Sequence, residues 1–240
     1  ASNSSSYGAT GANSVAIGQF SKATGSMSFA LGGYQAIASS TAAMAFGRFA
    51  TASGTFSLAL GNGGNATDTG AVSIGYQSDA DGKYSMALGF NSKASEYGKK
   101  TFASGSFAAD GDAQGGMFVL RADTTDATAT KLTTNNSTAG STNQIIAASD
   151  TCITFDGVIT AMQNGAQSYA SWKIEGLLVN DGGTTTLVNS STTVIENAIS
   201  WGMALSADNT NNALAITVTG EAAHNIRWVA NIRTSEVTYA

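Results

Sequence analysis

In residues 14–105 small and apolar side chains alternate in five-residue words: SVAIG, SFALG, AMAFG, SLALG, AVSIG, SMALG and TFASG. These words close on Gly18, Gly32, Gly47, Gly61, Gly75, Gly89 and Gly105, at spacings of 14, 15, 14, 14, 14 and 16 residues. Alternation with period two predicts a strand ending at each glycine. A weaker half-repeat precedes it, with Ala9, Ala23, Ala38, Ala52, Ala66 and Ala80 nine residues before the first six glycines. Gly11, Gly25, Gly54, Gly82 and Gly98 lie seven residues before theirs. Each unit therefore predicts two short strands separated by turns at small residues, and the regular period predicts a flattened parallel solenoid.

Within each word the side chains point alternately to two faces. Ser14, Ala16 and Gly18 oppose Val15 and Ile17, and Ser57, Ala59 and Gly61 oppose Leu58 and Leu60. A coil this short has room inside for Ala, Ser and Gly only, which turns the large residues outward into an apolar ladder. Such a ladder is too extensive to leave in water, and copies of the chain around a common axis would cover it. The alternative is a fatter monomeric β-helix with the large residues inside.

These SVAIG-type repeats resemble the head domain of trimeric autotransporter adhesins, the YadA-like left-handed parallel β-roll, over residues 7–108. The resemblance implies a homotrimer with Val15, Ile17, Phe29, Leu31, Met44, Phe46, Leu58, Leu60, Val72, Ile74, Met86 and Leu88 at the subunit interface. The units ending at Gly47 and Gly105 carry one and two extra residues, expected as bulges or loops, and Ala103-Ser104 weakens the last coil.

Beyond Gly105 the period stops. The chain divides into a shaft at 1–108, a linker at 109–116 (AADGDAQGG begins at 108) and an aperiodic region at 117–240. There, alternating segments are separated by turn signals at Asn164-Gly165, Asp181 to Gly183, Asp208 to Asn212 and Gly220 to Asn225, which predicts an antiparallel β-sandwich. Alternation puts Trp172 with Ile174 and Leu178, Trp201 with Met203 and Leu205, and Trp228 with Ile226, Ala230 and Ile232, so all three tryptophans are expected in a core. Lys173, Glu175, Arg227, Val229, Asn231 and Arg233 point the other way, to solvent or to trimer contacts. WKIEGLLV, NDGGTTTLV, DNTNNALAITVTG and IRWVANIRTSEV together look like the C-terminal module of tail-fibre proteins of tailed phages. That resemblance implies a distal, receptor-binding domain.

Composition narrows the chemistry. The chain has 240 residues, 28 glycines, no proline, 11% charged residues and a net charge of −5, without a basic stripe, so nucleic acid is not an expected partner. No apolar run long enough to span a membrane occurs, and the polar opening ASNSSSYG is not expected to be a signal peptide. Opening almost directly on a repeat suggests a fragment of a longer chain. With one cysteine and one histidine no Cys/His metal site is expected, and no cofactor. Cys152, in TCITF, is expected as a small buried apolar residue, and His224, in EAAHN, as a turn residue. Asp110-Gly111-Asp112 has too few oxygen ligands for a calcium loop and is expected as a polar junction. Asp150, Asp156, Asp181 and Asp208 are candidate carboxylates for glycan cleavage, but most adjoin Gly or Asn in turn contexts that favour backbone roles.

The expected function is a non-enzymatic homotrimeric phage tail fibre, or its distal part. It would sit in the virion tail, bind other tail proteins and attach to a host surface glycan or outer-membrane protein. The candidate contacts are loop-tip residues: Tyr169, Asp181, Asp208, Asn209, Asn211, Asn212 and His224. Alternatives are a bacterial trimeric adhesin head at the cell surface, a polysaccharide-degrading tailspike and a passive structural fibre.

Overall fold

The computed structural model describes residues 7–165, 168–197, 199 and 201–239. They form two compact units, dividing between Gln114 and Gly115. Among the described residues there is no helix long and apolar enough to cross a membrane.

The first unit is a parallel β-solenoid in which each coil supplies one two-residue strand and one longer strand. The short strands are β1 (Gly8–Ala9), β3 (Lys22–Ala23), β5 (Ile37–Ala38), β7 (Thr51–Ala52), β9 (Asn65–Ala66), β11 (Asp79–Ala80) and β13 (Lys93–Ala94). The longer ones are β2 (Val15–Gln19), β4 (Phe29–Tyr34), β6 (Met44–Phe46), β8 (Leu58–Asn62), β10 (Val72–Tyr76), β12 (Met86–Phe90) and β14 (Lys100–Ser104). Equivalent residues stack in register: Val72 pairs with Leu58 and Met86, and Ala80 with Ala66 and Ala94.

The buried hydrophobic cluster of this unit consists of alanines alone, among them Ala30, Ala45, Ala59 and Ala87 on the longer strands and Ala23, Ala38, Ala52, Ala66 and Ala80 on the short ones. The fat β-helix with large residues inside is therefore excluded. A coil with room only for Ala and Ser side chains must keep Val, Leu and Phe outside.

The closing glycines are required by the stacking itself. A Cβ on Gly18, Gly47, Gly61 or Gly75 would lie 1.6–1.9 Å from the carbonyl oxygen of the equivalent residue one coil later. Pairing corrects the expected register of the last coil. Gly89 pairs with Ala103, not Gly105, so the final unit keeps the fourteen-residue step and carries no two-residue insertion. Alanine is tolerated there because no further coil of the roll stacks on Ala103. The single extra residue before Gly47 is a bulge in β4, where the pairing with β2 shifts between Ile17 and Gln19.

The turns also differ from expectation. Two columns of corner residues take left-handed conformations, and most are not glycine. One column runs Asn13, Met27, Ala42, Phe56, Gly70, Tyr84 and Gly98, with φ of 53–67°. The other includes Phe20, Gln35, Phe49, Gln77 and Asn91. Hydrogen bonds between coils offset the strain of such conformations. The amides of Met27, Phe56 and Tyr84 donate to Ala12, Thr41 and Thr69 of the coil before, at 2.8, 3.0 and 2.8 Å.

The final coil has a different interior. Lys99 occupies a place where earlier coils have Ser or Ala, and its Nζ lies 3.2 Å from Glu96 Oε2, both side chains being buried. Asp112 folds back and accepts the amides of Phe107, Ala108 and Ala109 at 2.9, 2.6 and 2.8 Å. These backbone bonds, led by Ala109 and Ala108, hold its carboxyl below the usual range. The Asp110–Asp112 stretch is thus a polar turn, and residues 113–116 of the expected linker already belong to a strand.

In the second unit one antiparallel sheet has the order β15 (Ala113–Thr124), β23 (Ile226–Thr238), β18 (Thr151–Gln163), β19 (Tyr169–Asp181), β20 (Thr184–Glu196). A smaller sheet joins β16 (Thr130–Lys131), β17 (Ile145–Ile146) and β21 (Gly202–Asp208) to β22 (Ala213–Thr219). Both sheets contribute to one hydrophobic core. Trp172, Trp201 and Trp228 are all buried, with ring centroids 5.9 Å apart for Trp172–Trp228 and 5.5 Å for Trp201–Trp228. Cys152 departs from expectation: it lies on the outer side of β18 and is half-buried, because the core positions of that strand are Thr151, Ile153 and Phe155.

Candidate functional site

The outward side of the longer roll strands carries the expected ladder. Val15, Ile17, Leu31, Met44 and Leu60 are exposed, Ile17 to 53%, while Phe29, Phe46, Leu58, Val72, Ile74, Met86 and Leu88 are half-buried among their neighbours in adjacent coils. The outward side of the short strands is mostly polar, with Lys22, Thr51, Asn65, Asp79 and Lys93 in one column. Burial pushes the Asp79 carboxyl above its ordinary value despite the 2.7 Å hydrogen bond from Asn65 Nδ2. One face of the roll is thus apolar and the opposite face wet.

Alternation alone missed the corners. Tyr7, Phe20, Tyr34 and Phe49 form a ladder of rings with centroids 5.0, 5.3 and 5.3 Å apart, and the Arg48 guanidinium carbon lies 4.3 Å from the Phe49 centroid. On the other corner Met27, Phe56 and Tyr84 are exposed. The signal was present as aromatic residues at spacings of 14 and 15 (Phe20, Tyr34, Phe49), but Phe20 and Phe49 lie in turns and Tyr34 only at the end of β4, beyond the five-residue words.

In the second unit the loop-tip residues divide between two ends. Pairing of Thr151 with Asn180 and Thr238, and of Met162 with Tyr169 and Arg227, places the Asp181 turn and the Tyr169 end at opposite ends of β18. Thirteen residues of extended strand separate them by about 40 Å. Asp181, Asp208, Asn209, Asn211 and Asn212 lie at the first end, Tyr169 and His224 at the second.

At the first end most of the polar groups are engaged internally. Asp208 is buried, and its Oδ2 accepts Lys131 Nζ at 2.7 Å, Asn211 Nδ2 at 2.9 Å and Gln144 Nε2 at 3.2 Å. Burial alone would raise its pKa, but these donors and the Lys131 charge outweigh it and hold the carboxyl well below the usual range. Asn209 Oδ1 accepts the Thr185 amide at 2.7 Å, and Asn212 Oδ1 accepts the Thr185 hydroxyl at 3.3 Å. Asp208 is a structural group here, which removes it from the candidate contacts. Asp181 remains exposed.

The second end is more open. A groove of about 460 Å³ runs between the end of β15, the Met162–Gly165 stretch at the end of β18 and the start of β23. Its walls include Asp123, Asn164, Asn225 and Arg227, with Met162 and Ile226 as apolar surface. Arg227 Nε lies 3.2 Å from Asp123 Oδ1, and Trp228 Nε1 donates to Thr124 Oγ1 at 2.9 Å, tying one wall to the core. Tyr169 is exposed beside Met162, its partner across the strand pair. His224 Nδ1 lies 2.9 Å from Glu221 Oε2 in a turn.

Glycan cleavage needs a carboxylate pair with one member kept protonated, usually by burial. Asp156 and Glu175 face each other across β18 and β19, but Asp156 is paired with Arg233 and Glu175 with Lys173, and both are open to water. Asp156 is also mid-strand, not in a turn as expected from its neighbours. Among the described residues no group of His, Cys, Asp and Glu could hold a metal ion.

Residues 9–37, 38–63, 66–92 and 80–108 match the family model of the YadA head domain repeat. The matched residues lie in the β-solenoid, whose coils are similar to YadA-type head repeats. No curated protein matches the chain. Among solved structures it is similar to the tailspike protein gp49 of Acinetobacter baumannii bacteriophage Fri1, a capsular polysaccharide depolymerase, at 10% identity and a TM-score of 0.28, over 75% of this chain and 32% of that one. It is also similar to the tailspike protein of Acinetobacter baumannii phage AM24, at 8% identity and a TM-score of 0.25, over 95% of this chain and 48% of that one. The chain spans about a third and about half the length of these two proteins.

Proposed function

We propose that this chain is part of a homotrimeric surface-attachment fibre, most simply a phage tail fibre, whose roll assembles the trimer and whose second unit, a β-sandwich, meets the host surface. The apolar face over an interior of alanine and serine carries this proposal. Alanine burial contributes little per coil, whereas covering the outer Val, Ile, Leu, Met and Phe side chains, already partly shielded, would add roughly 1 kcal/mol each. Closed cyclic assembly covers such a face without open-ended growth. A head repeat of the YadA type is the kind of element that serves adhesion, which favours an extracellular location, on a virion tail or a cell surface. The ion pairing of Asp156 and Glu175 favours a non-enzymatic role.

Sedimentation equilibrium tests the assembly. The parent chain is expected at three times its 24.2 kDa mass, and Leu60→Asp or Ile74→Asp is expected to dissociate it. A monomeric parent, or a trimer indifferent to both charges, would refute the shared-face argument.

A further inference from the structure

We propose that the groove between the end of β15, the Met162–Gly165 stretch at the end of β18 and the start of β23 binds a neutral mono- or disaccharide, which rests on the surface-attachment function above and gives it a site and a ligand class. The volume of about 460 Å³ falls within the range of small-ligand sites. Three side-chain amides, from Gln163, Asn164 and Asn225, line it, and none has a hydrogen-bond partner among the described residues. At the other end of the unit the comparable amides of Asn180, Asn209 and Asn211 are bonded within the protein. An amide offers an acceptor and two donors side by side, which matches the adjacent hydroxyls of a sugar ring.

Charge narrows the class. Arg227 and Asp123 are paired with each other, and Asp123 Oδ2 also accepts Asn136 Nδ2 at 2.8 Å, so the groove presents a balanced pair and no uncompensated cation for an acidic sugar. Beside it Met162 and Tyr169 are 61% and 58% exposed and adjacent across the strand pair, an apolar strip on which the C–H face of a pyranose can lie. Two hydrogen bonds tie the groove's walls: the Asn164 amide donates to the Asn225 carbonyl at 2.8 Å, and Trp228 Nε1 to Thr124 Oγ1 at 2.9 Å. Walls tied by such bonds have less ordering to lose when a small polar ligand binds.

The test uses the full chain and a panel of neutral hexoses and N-acetylhexosamines, as monosaccharides and disaccharides, with uronic acids as the acidic comparison. Binding is read by saturation-transfer NMR and by titration. At least one neutral sugar is expected to bind, with uronic acids weaker. Asn164→Ala and Asn225→Ala are each expected to weaken binding about five- to tenfold, the worth of one hydrogen bond. Asp181→Ala, at the opposite end, is expected to leave it unchanged. Thermal melts of all three variants should match the parent, since the altered side chains are exposed. The proposal fails if no panel sugar binds, if both amide variants bind normally, or if Asp181→Ala is equally impaired. Trimeric protein that adheres to cells yet binds no sugar would overturn the saccharide site alone and point to a protein receptor; a monomeric protein that does not adhere would overturn the attachment function itself.

Discussion

Gly61→Ala is the sharpest perturbation of the roll, because one methyl group meets backbone on both counts that matter. The added Cβ would lie 1.8 Å from the Gly75 carbonyl oxygen and 2.8 Å from its carbon, at a φ of +132° that side chains rarely adopt. Neighbouring coils are only about 4.8 Å apart, so opening the contact by more than an ångström breaks hydrogen bonds along the whole step. Backbone strain of about 1–3 kcal/mol and a comparable overpacking cost give a destabilisation of about 3–5 kcal/mol. Ala103→Gly is the matched control. It occupies the same column in the last coil, where the clash is absent, and should cost no more than about 1 kcal/mol. Far-UV circular dichroism melts at one fixed protein concentration follow the roll, since assembly makes melting temperatures concentration-dependent. The tryptophans at 172, 201 and 228 all belong to the second unit, so their fluorescence serves as an internal control that should not move. If Gly61→Ala melts within about 2 °C of the parent, or Ala103→Gly is the worse of the two, the stacking argument is wrong.

Acid should loosen the second unit through Asp208. Its folded pKa is depressed, so its contribution is complete above about pH 4 and fades as pH falls below that value; tryptophan melts should drop accordingly, by about 1–2 kcal/mol, and Asp208→Asn should flatten the pH dependence. A parent whose melts are flat between about pH 5 and pH 2 contradicts this. In the roll, Glu96→Ala leaves the buried Lys99 ammonium without that carboxylate and should cost about 3 kcal/mol, while Glu96→Leu with Lys99→Met should recover most of it. Equal melts for the single and double variants would show that the ion pair is not what holds the last coil.

Much of the roll was legible because its period is carried by residue type. Val15 and Ile17 against Ala16 and Gly18 is a strand pattern that fixes two faces, and the structure puts the alanine face inside. What escaped was conformational: nothing in Phe20, Met27 or Phe56 announces a left-handed corner, since the permission comes from hydrogen bonds to the coil before, which single-residue preferences do not contain. The same blindness put the last coil at Gly105, because glycine was followed as a letter when the cause was a carbonyl one coil away. In the second unit alternation found all three buried tryptophans, while the two-residue strands β16 and β17 were too short to leave a period. Loop composition marked the tips but could not say which were occupied. Asp208 and Asn225 read alike in sequence, and only the arrival of Lys131 and Gln144 from distant positions distinguishes them.

The glycine column also makes length a countable property. Each coil asks of the next only a carbonyl oxygen in the same place, so an insertion of fourteen residues upstream of Ala103 extends the stack by one step of about 4.8 Å and leaves every other contact as it was. An insertion of thirteen would throw alanines out and valines in. The roll's length is therefore set in whole coils, and the alanine at 103 marks where counting stops.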